Sequence, residues 1–251
     1  MATIAEQLTS LANTKTAIKD AIVAKGVPVA DTDPFSAYPT KIGQIEGGGG
    51  APATKYGVSI DNLLGNVDED GVLQKPTTPF VLDGKGIKDF GARTMYYKFY
   101  QNAAITSVSF PDLETISQNY TCTYAFYSCD NLTSTGLQNL KSISGDNACT
   151  NMYGWCARLT SPGLDSLESI TGADACQQMF YTCTFTRADF PKLIEITDTN
   201  ALGRNTSTGM FRNCTALTEI HFRADVQALI ESLAGYSTKF GATNATIYFD
   251  L

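Results

Sequence analysis

Apolar and polar positions in the middle of this chain recur with a period of 27 residues. Phe99, Phe126, Tyr153, Phe180 and Phe211 each stand three residues before one member of the column Asn102, Cys129, Cys156, Cys183 and Cys214. A second column, Cys122, Cys149 and Cys176, keeps the same interval. Downstream, Ile105, Val108 and Phe110 correspond to Leu217, Ile220 and Phe222, and more weakly to Leu132 and Leu137 and to Leu159 and Leu164. A further apolar pair follows in four repeats: Leu113 and Ile116, Leu140 and Ile143, Leu167 and Ile170, Leu193 and Ile196. Short apolar runs separated by Gly, Pro, Ser or Asp predict short strands at regular intervals. A fixed period of this size predicts a solenoid, in which each rung buries its apolar face only by stacking on its neighbours. Between Asp198 and Thr208 the spacing opens by about four residues, an insertion expected to form a loop on one face.

The ends read differently. Ile4, Leu8, Leu11, Lys15, Ile18 and Ile22 are spaced alternately by four and three, the seam of a coiled coil with Lys15 as its polar member. Gly26 and Pro28 predict the stop of that helix, and a second short helix is expected near Pro34 or Pro39. Four glycines, Gly47 to Gly50, predict a flexible linker. At the other end Val226, Leu229, Ile230 and Leu233 have helical spacing, and Thr246 to Phe249 reads as a last strand. The expected organisation is a helical anchor over 1–46, a linker over 47–54, an N-terminal cap over 55–95, five rungs over 96–222 and a helix–strand cap over 223–251. The fold class is a solenoid of short β-strands and short helical turns, preceded by an α-helical anchor.

Composition narrows the partners. A net charge of −7 argues against nucleic acid and anionic membrane surfaces, both of which need a basic footprint. No run of about 18 apolar residues predicts a membrane span. The N-terminus has no basic start followed by an apolar core, so synthesis in a cytoplasm without Sec export is expected. The seven cysteines are read as buried packing slots in a reduced state. Their column accepts Asn102 at one end, Ser207 stands where spacing would place a partner for Cys214, and no histidine accompanies them as in zinc sites.

Chemistry is sparse. The one histidine, His221, occupies an alternating strand position and is expected to face solvent, beside the small polar set Ser107, Ser109, Ser134, Ser161 and Glu219. No nucleophile elbow and no phosphate-binding loop is present. Asp68-Glu69-Asp70-Gly71 lacks the acidic spacing of an EF-hand. No enzyme, metal or cofactor is expected.

The rungs Phe126 to Ser134, Tyr153 to Ser161 and Phe211 to Ile220 resemble the BspA-type leucine-rich repeat. Phe185-Thr186-Arg187 departs from it, where Leu-Thr-Ser is expected. The segments Leu11 to Lys19, Phe35 to Pro39 and Lys41 to Gly43 are similar to stretches that open tail and fibre proteins of phages infecting gut bacteria. Ile220 to Asp225 and Ala245 to Phe249 are similar to the ends of such proteins. The resemblance implies binding and virion structure, with no catalysis. It implies other virion proteins as partners through residues 1–46, and a bacterial surface glycan or protein as receptor. With the seam, it implies a homotrimer, in a virion made in the host cytoplasm; a BspA-like bacterial surface adhesin is the alternative.

The candidate contact residues are two columns just after the rung aromatic. One reads Tyr100, Tyr127, Gly154, Tyr181 and Arg212, and the next Gln101, Ser128, Trp155, Thr182 and Asn213. If the aromatic points inward, these side chains face out. Tyr and Trp one rung apart would then offer a platform for sugar rings, with Trp155 as the leading candidate.

Overall fold

The computed structural model describes residues 4–23, 29, 30, 32, 34, 57–59, 77–91 and 94–251. They fall into two compact units, Met1–Lys55 and Tyr56–Leu251. In the first, α1 spans Ile4–Val23. Ile22 is buried there, packed with Ile18 and Val29, so the helix end seals an apolar contact within its own unit. The helix stop, the second short helix, the linker and the Asp68–Gly71 stretch lie outside the described residues, as do the side chains of Ile4, Leu8 and Leu11.

The second unit is a β-solenoid of about six turns with a period near 27, of leucine-rich-repeat-like form. Strands β1 (Gly57–Ser59), β2 (Phe80–Asp83) and β3 (Ile105–Ser109) form one parallel sheet. Strands β4 (Thr115–Ile116), β5 (Ser142–Ile143), β6 (Ser169–Ile170) and β8 (Glu195–Ile196) form a second, and β7 (Arg187–Phe190), β9 (Glu219–Phe222) and β10 (Thr246–Phe249) a third. Register holds from rung to rung: Ile116, Ile143, Ile170 and Ile196 pair in turn and are all buried. The segment expected as a cap, 55–95, supplies β1 and β2, which continue the same parallel stacking.

Through the core runs a column of rings. Phe99, Phe126, Tyr153, Phe180 and Phe211 stack at centroid distances of 5.4, 5.3, 5.7 and 5.9 Å, with planes within 13° of parallel. Each ring is fully buried, so the repeated aromatic meets its own copy one rung on. The cysteine column lies beside it. The thiols of Cys129, Cys156, Cys183 and Cys214 donate to the carbonyls of Phe99, Phe126, Tyr153 and Phe180 at 3.1, 3.0, 3.2 and 2.9 Å. Asn102 begins the column with a different task, its Oδ1 accepting from the backbone N–H groups of Ala104 and Ile105 at 2.9 and 3.2 Å. That caps the entry to β3. Beyond Cys176 the other column passes to Ala201 and Leu202, both buried, and Ser207 is exposed, because the extra residues loop out.

Each rung begins with a ribbon of turns that links the rungs directly. The N–H groups of Cys122, Tyr124, Phe126 and Ser128 donate to Ala148, Thr150, Met152 and Gly154 one rung on, at 2.7 to 3.0 Å. The intervening N–H groups of Thr123, Ala125, Tyr127 and Cys129 close turns on residues three back. This pattern puts every fourth residue in the left-handed region: Tyr120, Tyr124 and Ser128, then Asn147, Asn151 and Trp155, then Asp174, Gln178 and Thr182. A non-glycine residue there costs about 1–2 kcal/mol, which the inter-rung hydrogen bonds offset.

The strand after the ribbon fails in two rungs. Between β3 and β7, residues 132–137 and 159–164 form no strand, and Gly136 and Gly163 turn to φ +71° and +66°. Ser134 replaces the lost ladder, its hydroxyl donating to the Val108 carbonyl at 3.0 Å and accepting the Val108 N–H at 3.3 Å. The buried carbonyl of Thr135 is satisfied by the Tyr153 hydroxyl. Tyrosine thus replaces phenylalanine in the ring column at the rung that needs a donor. Tyr153→Phe is expected to leave that carbonyl unpaired and lower stability by about 1–3 kcal/mol, read as a shift in urea midpoint; Phe126→Tyr, with no such carbonyl identified, should not compensate it.

The Phe185 departure makes a good fit. Phe185 is buried, with its ring edge-on to Phe180 and Phe211 at 5.5 and 6.0 Å, and β7 starts two residues later. The C-terminal cap is a 3₁₀ turn, Ala224–Val226, a short helix α2 (Gln227–Glu231) and β10. It overturns one expectation. His221 is 5% exposed, because β10 pairs in register with β9 and lays Tyr248 against it. The rings stack at 4.7 Å, and His221 Nδ1 lies 2.6 Å from the Asp250 carboxylate. A strand position open in one rung is closed by the next.

Candidate binding face

Ring contacts run along the outside of the turn ribbon from rung to rung. Tyr100 and Tyr127 stack at 5.4 Å with planes 7° apart. A neighbouring column absent from the candidate set, Tyr97 and Tyr124, stacks at 4.6 Å, and Tyr96 meets Tyr97 at 4.7 Å. Those positions were visible in the sequence as tyrosines 27 apart, three residues before Tyr100 and Tyr127. Tyr96 and Tyr97 are among the large side chains most open to solvent.

The candidate residues do come together, though the two columns interlock diagonally. Backbone N–H groups of Gln101, Ser128, Trp155 and Thr182 donate to the carbonyls of Tyr127, Gly154, Tyr181 and Arg212 at 2.6 to 2.8 Å. Each residue of one column is therefore tied to the next rung's residue in the other. Trp155 consequently sits beside Tyr181, centroids 5.8 Å apart and planes at 89°. The Arg212 guanidinium lies 4.8 Å over the same Tyr181 ring.

Gly154 makes room for this. A Cβ there would stand 2.7 Å from the Tyr127 ring, so the missing side chain is where Tyr127 lies. Burial raises the Tyr127 hydroxyl pKa, helped by Tyr181, Tyr100 and Tyr124, while a hydrogen bond from Trp155 works against it. Desolvation and the adjoining Tyr124 raise Tyr97 likewise. The Tyr127 and Tyr97 hydroxyls therefore stay protonated at neutral pH.

Ring geometry limits what the face can do. Parallel stacking closes one face each of Tyr100, Tyr127, Tyr97 and Tyr124. Trp155, 46% exposed and not stacked in parallel on a neighbour, keeps the largest open ring area. Among the described residues no group of three or more His, Cys, Asp and Glu is placed to hold a metal ion, and no helix is long and apolar enough to cross a membrane.

No protein-family model matches this chain, and no curated protein matches it. Among solved structures, a leucine-rich cell surface protein of Faecalibacterium prausnitzii A2-165 is similar at 18% identity, with a TM-score of 0.30. The likeness covers 57% of this chain and 38% of that one, so this chain spans well under half the length of that protein.

Proposed function

We propose that this chain is a non-enzymatic recognition protein of a phage or prophage virion, a tail-fibre or baseplate component whose solenoid tip binds a bacterial surface receptor. The observation that carries the reading is the outward run of Tyr, Trp and Arg along the turn ribbon. These residue types dominate binding hot spots, because they bury much area for few rotors and keep a polar tip. Residues 1–46 would join it to other virion proteins, as a trimer. A bacterial surface adhesin of the BspA kind would use the same face without the trimeric anchor.

Two measurements test this. Trp155→Ala is expected to weaken adhesion to bacterial envelopes by about tenfold or more, since truncating an aromatic anchor costs about 2 kcal/mol or more. The melting temperature should barely move, because the ring is half exposed. Unchanged adhesion would remove the face from the account. Light scattering on the full chain and on a version starting at Ala51 addresses the anchor. A trimer that becomes a monomer on truncation supports the fibre, and two monomers favour the adhesin.

A further inference from the structure

Arg212 differs from three of the five arginines among the described residues. Arg187, Arg204 and Arg223 each hold an aspartate carboxylate, at 2.8, 2.8 and 2.5 Å. Among the described residues, Arg212 and Arg158 have no carboxylate partner, although the chain carries an excess of seven negative charges. Both belong to the candidate face or its flank. Arg158 is exposed three residues beyond Trp155 in the same rung, and Arg212 is held over Tyr181 by its ring alone.

A guanidinium left unpaired among surplus carboxylates is an open anion acceptor, and its planar fork suits a carboxylate in particular. Cation–π contact keeps its charge available while fixing its position. Trp155 touches the same Tyr181 ring and presents the largest open aromatic area of the face. Its indole meets the Tyr181 ring edge-on, with centroids 5.8 Å apart. The Thr182 hydroxyl, buried without a hydrogen-bond partner, lies on the strip that bonds to the Arg212 carbonyl. An apolar ring platform and a fixed cation thus flank one tyrosine.

We infer that this pad takes an acidic saccharide, a pyranose bearing a carboxylate, with its sugar ring against Trp155 and its carboxylate on Arg212. The inference rests on the receptor-binding reading of the face and narrows its ligand class. Carbohydrate C–H groups pack on the indole, and the carboxylate supplies the charge that Arg212 lacks. Neutral sugars would satisfy the ring and leave the guanidinium unmet. Phosphate-rich polymers would meet the guanidinium but make no use of the indole.

Trp155 is the single tryptophan, so its fluorescence reports this pad without a label. The full chain is titrated with trigalacturonate and its methyl ester, and with sialyllactose and lactose. In at least one pair the acid form is expected to bind about tenfold or more tightly than its uncharged counterpart, the usual scale of a charge-assisted contact. The preference should weaken in raised salt and vanish in Arg212→Gln, with the melting temperature retained. Equal response to both members of each pair, or no response to any probe, overturns the acidic-sugar assignment. Should Arg212→Gln fold poorly, the ester comparison on the unaltered chain still decides. Loss of this assignment leaves the receptor-binding reading standing, which fails separately if Trp155→Ala adheres to cells normally.

Discussion

Phe180→Ala is expected to lower stability by about 3–5 kcal/mol, the range for truncating a buried aromatic ring. Phe180 is fully buried and contacts Tyr153, Phe211 and Phe185 at 5.7, 5.9 and 5.5 Å. Its loss therefore removes three ring contacts at once. The cavity cannot collapse easily, because the flanking rungs are tied by backbone bonds such as Phe180 N–H to the Met210 carbonyl at 2.9 Å. In a solenoid, stability is nearly a sum of rungs and nearest-neighbour interfaces. A broken interface should then also split cooperativity, so that turns before and after Phe180 melt separately. Calorimetry would read this as a broadened or double transition at lower temperature. A single unshifted transition would show that the ring column does not couple the rungs.

Unfolding at alkaline pH is the second large effect. Burial pushes the Cys176 and Cys214 thiols up to about 12 from an ordinary 9, and it pushes up Cys122, Cys149, Cys156 and Cys183 as well. The unfolded chain releases these protons above about pH 9 and the folded chain retains them. Stability from these groups is therefore full below that pH and falls as pH rises toward the folded values. Each such thiol withdraws about 1.4 kcal/mol per pH unit, so six acting together withdraw about 8 kcal/mol per unit. Typical domain stability is about 5–15 kcal/mol. Burial outweighs the backbone hydrogen bonds that favour the thiolates of Cys156, Cys183 and Cys214, and their thiols donate to carbonyl oxygens in the folded chain. Circular dichroism under reducing conditions should show loss of structure between about pH 10 and 11. Cys176→Ala should move that midpoint upward, and a flat signal through pH 11 would contradict the account.

The candidate face was partly legible in the chain. Counting outward from the ring column placed Trp155, Tyr127, Tyr181, Tyr100 and Arg212 on one side, and they do meet there. Within that face Tyr100 and Tyr127 stack on each other, which closes one face of each ring. The diagonal offset that brings Trp155 to Tyr181 and Arg212 follows from which N–H groups point to the next rung. The residue types do not carry that choice.

Sequence alone determined the period, the inward columns and the C-terminal strand at Thr246–Phe249. Parallel stacking makes equivalent residues meet their own copies, so a packing solution that works once is written again every 27 residues. Tertiary structure alone decided the left-handed backbone at Tyr124, Trp155 and Thr182, where no glycine announces it and inter-rung hydrogen bonds supply the compensation. It also buried His221, because the strand that covers it returns only after the intervening turn and helix. Local pattern reports what repeats along the stack, whereas contacts between unlike positions on successive rungs exist only once the chain has closed each turn.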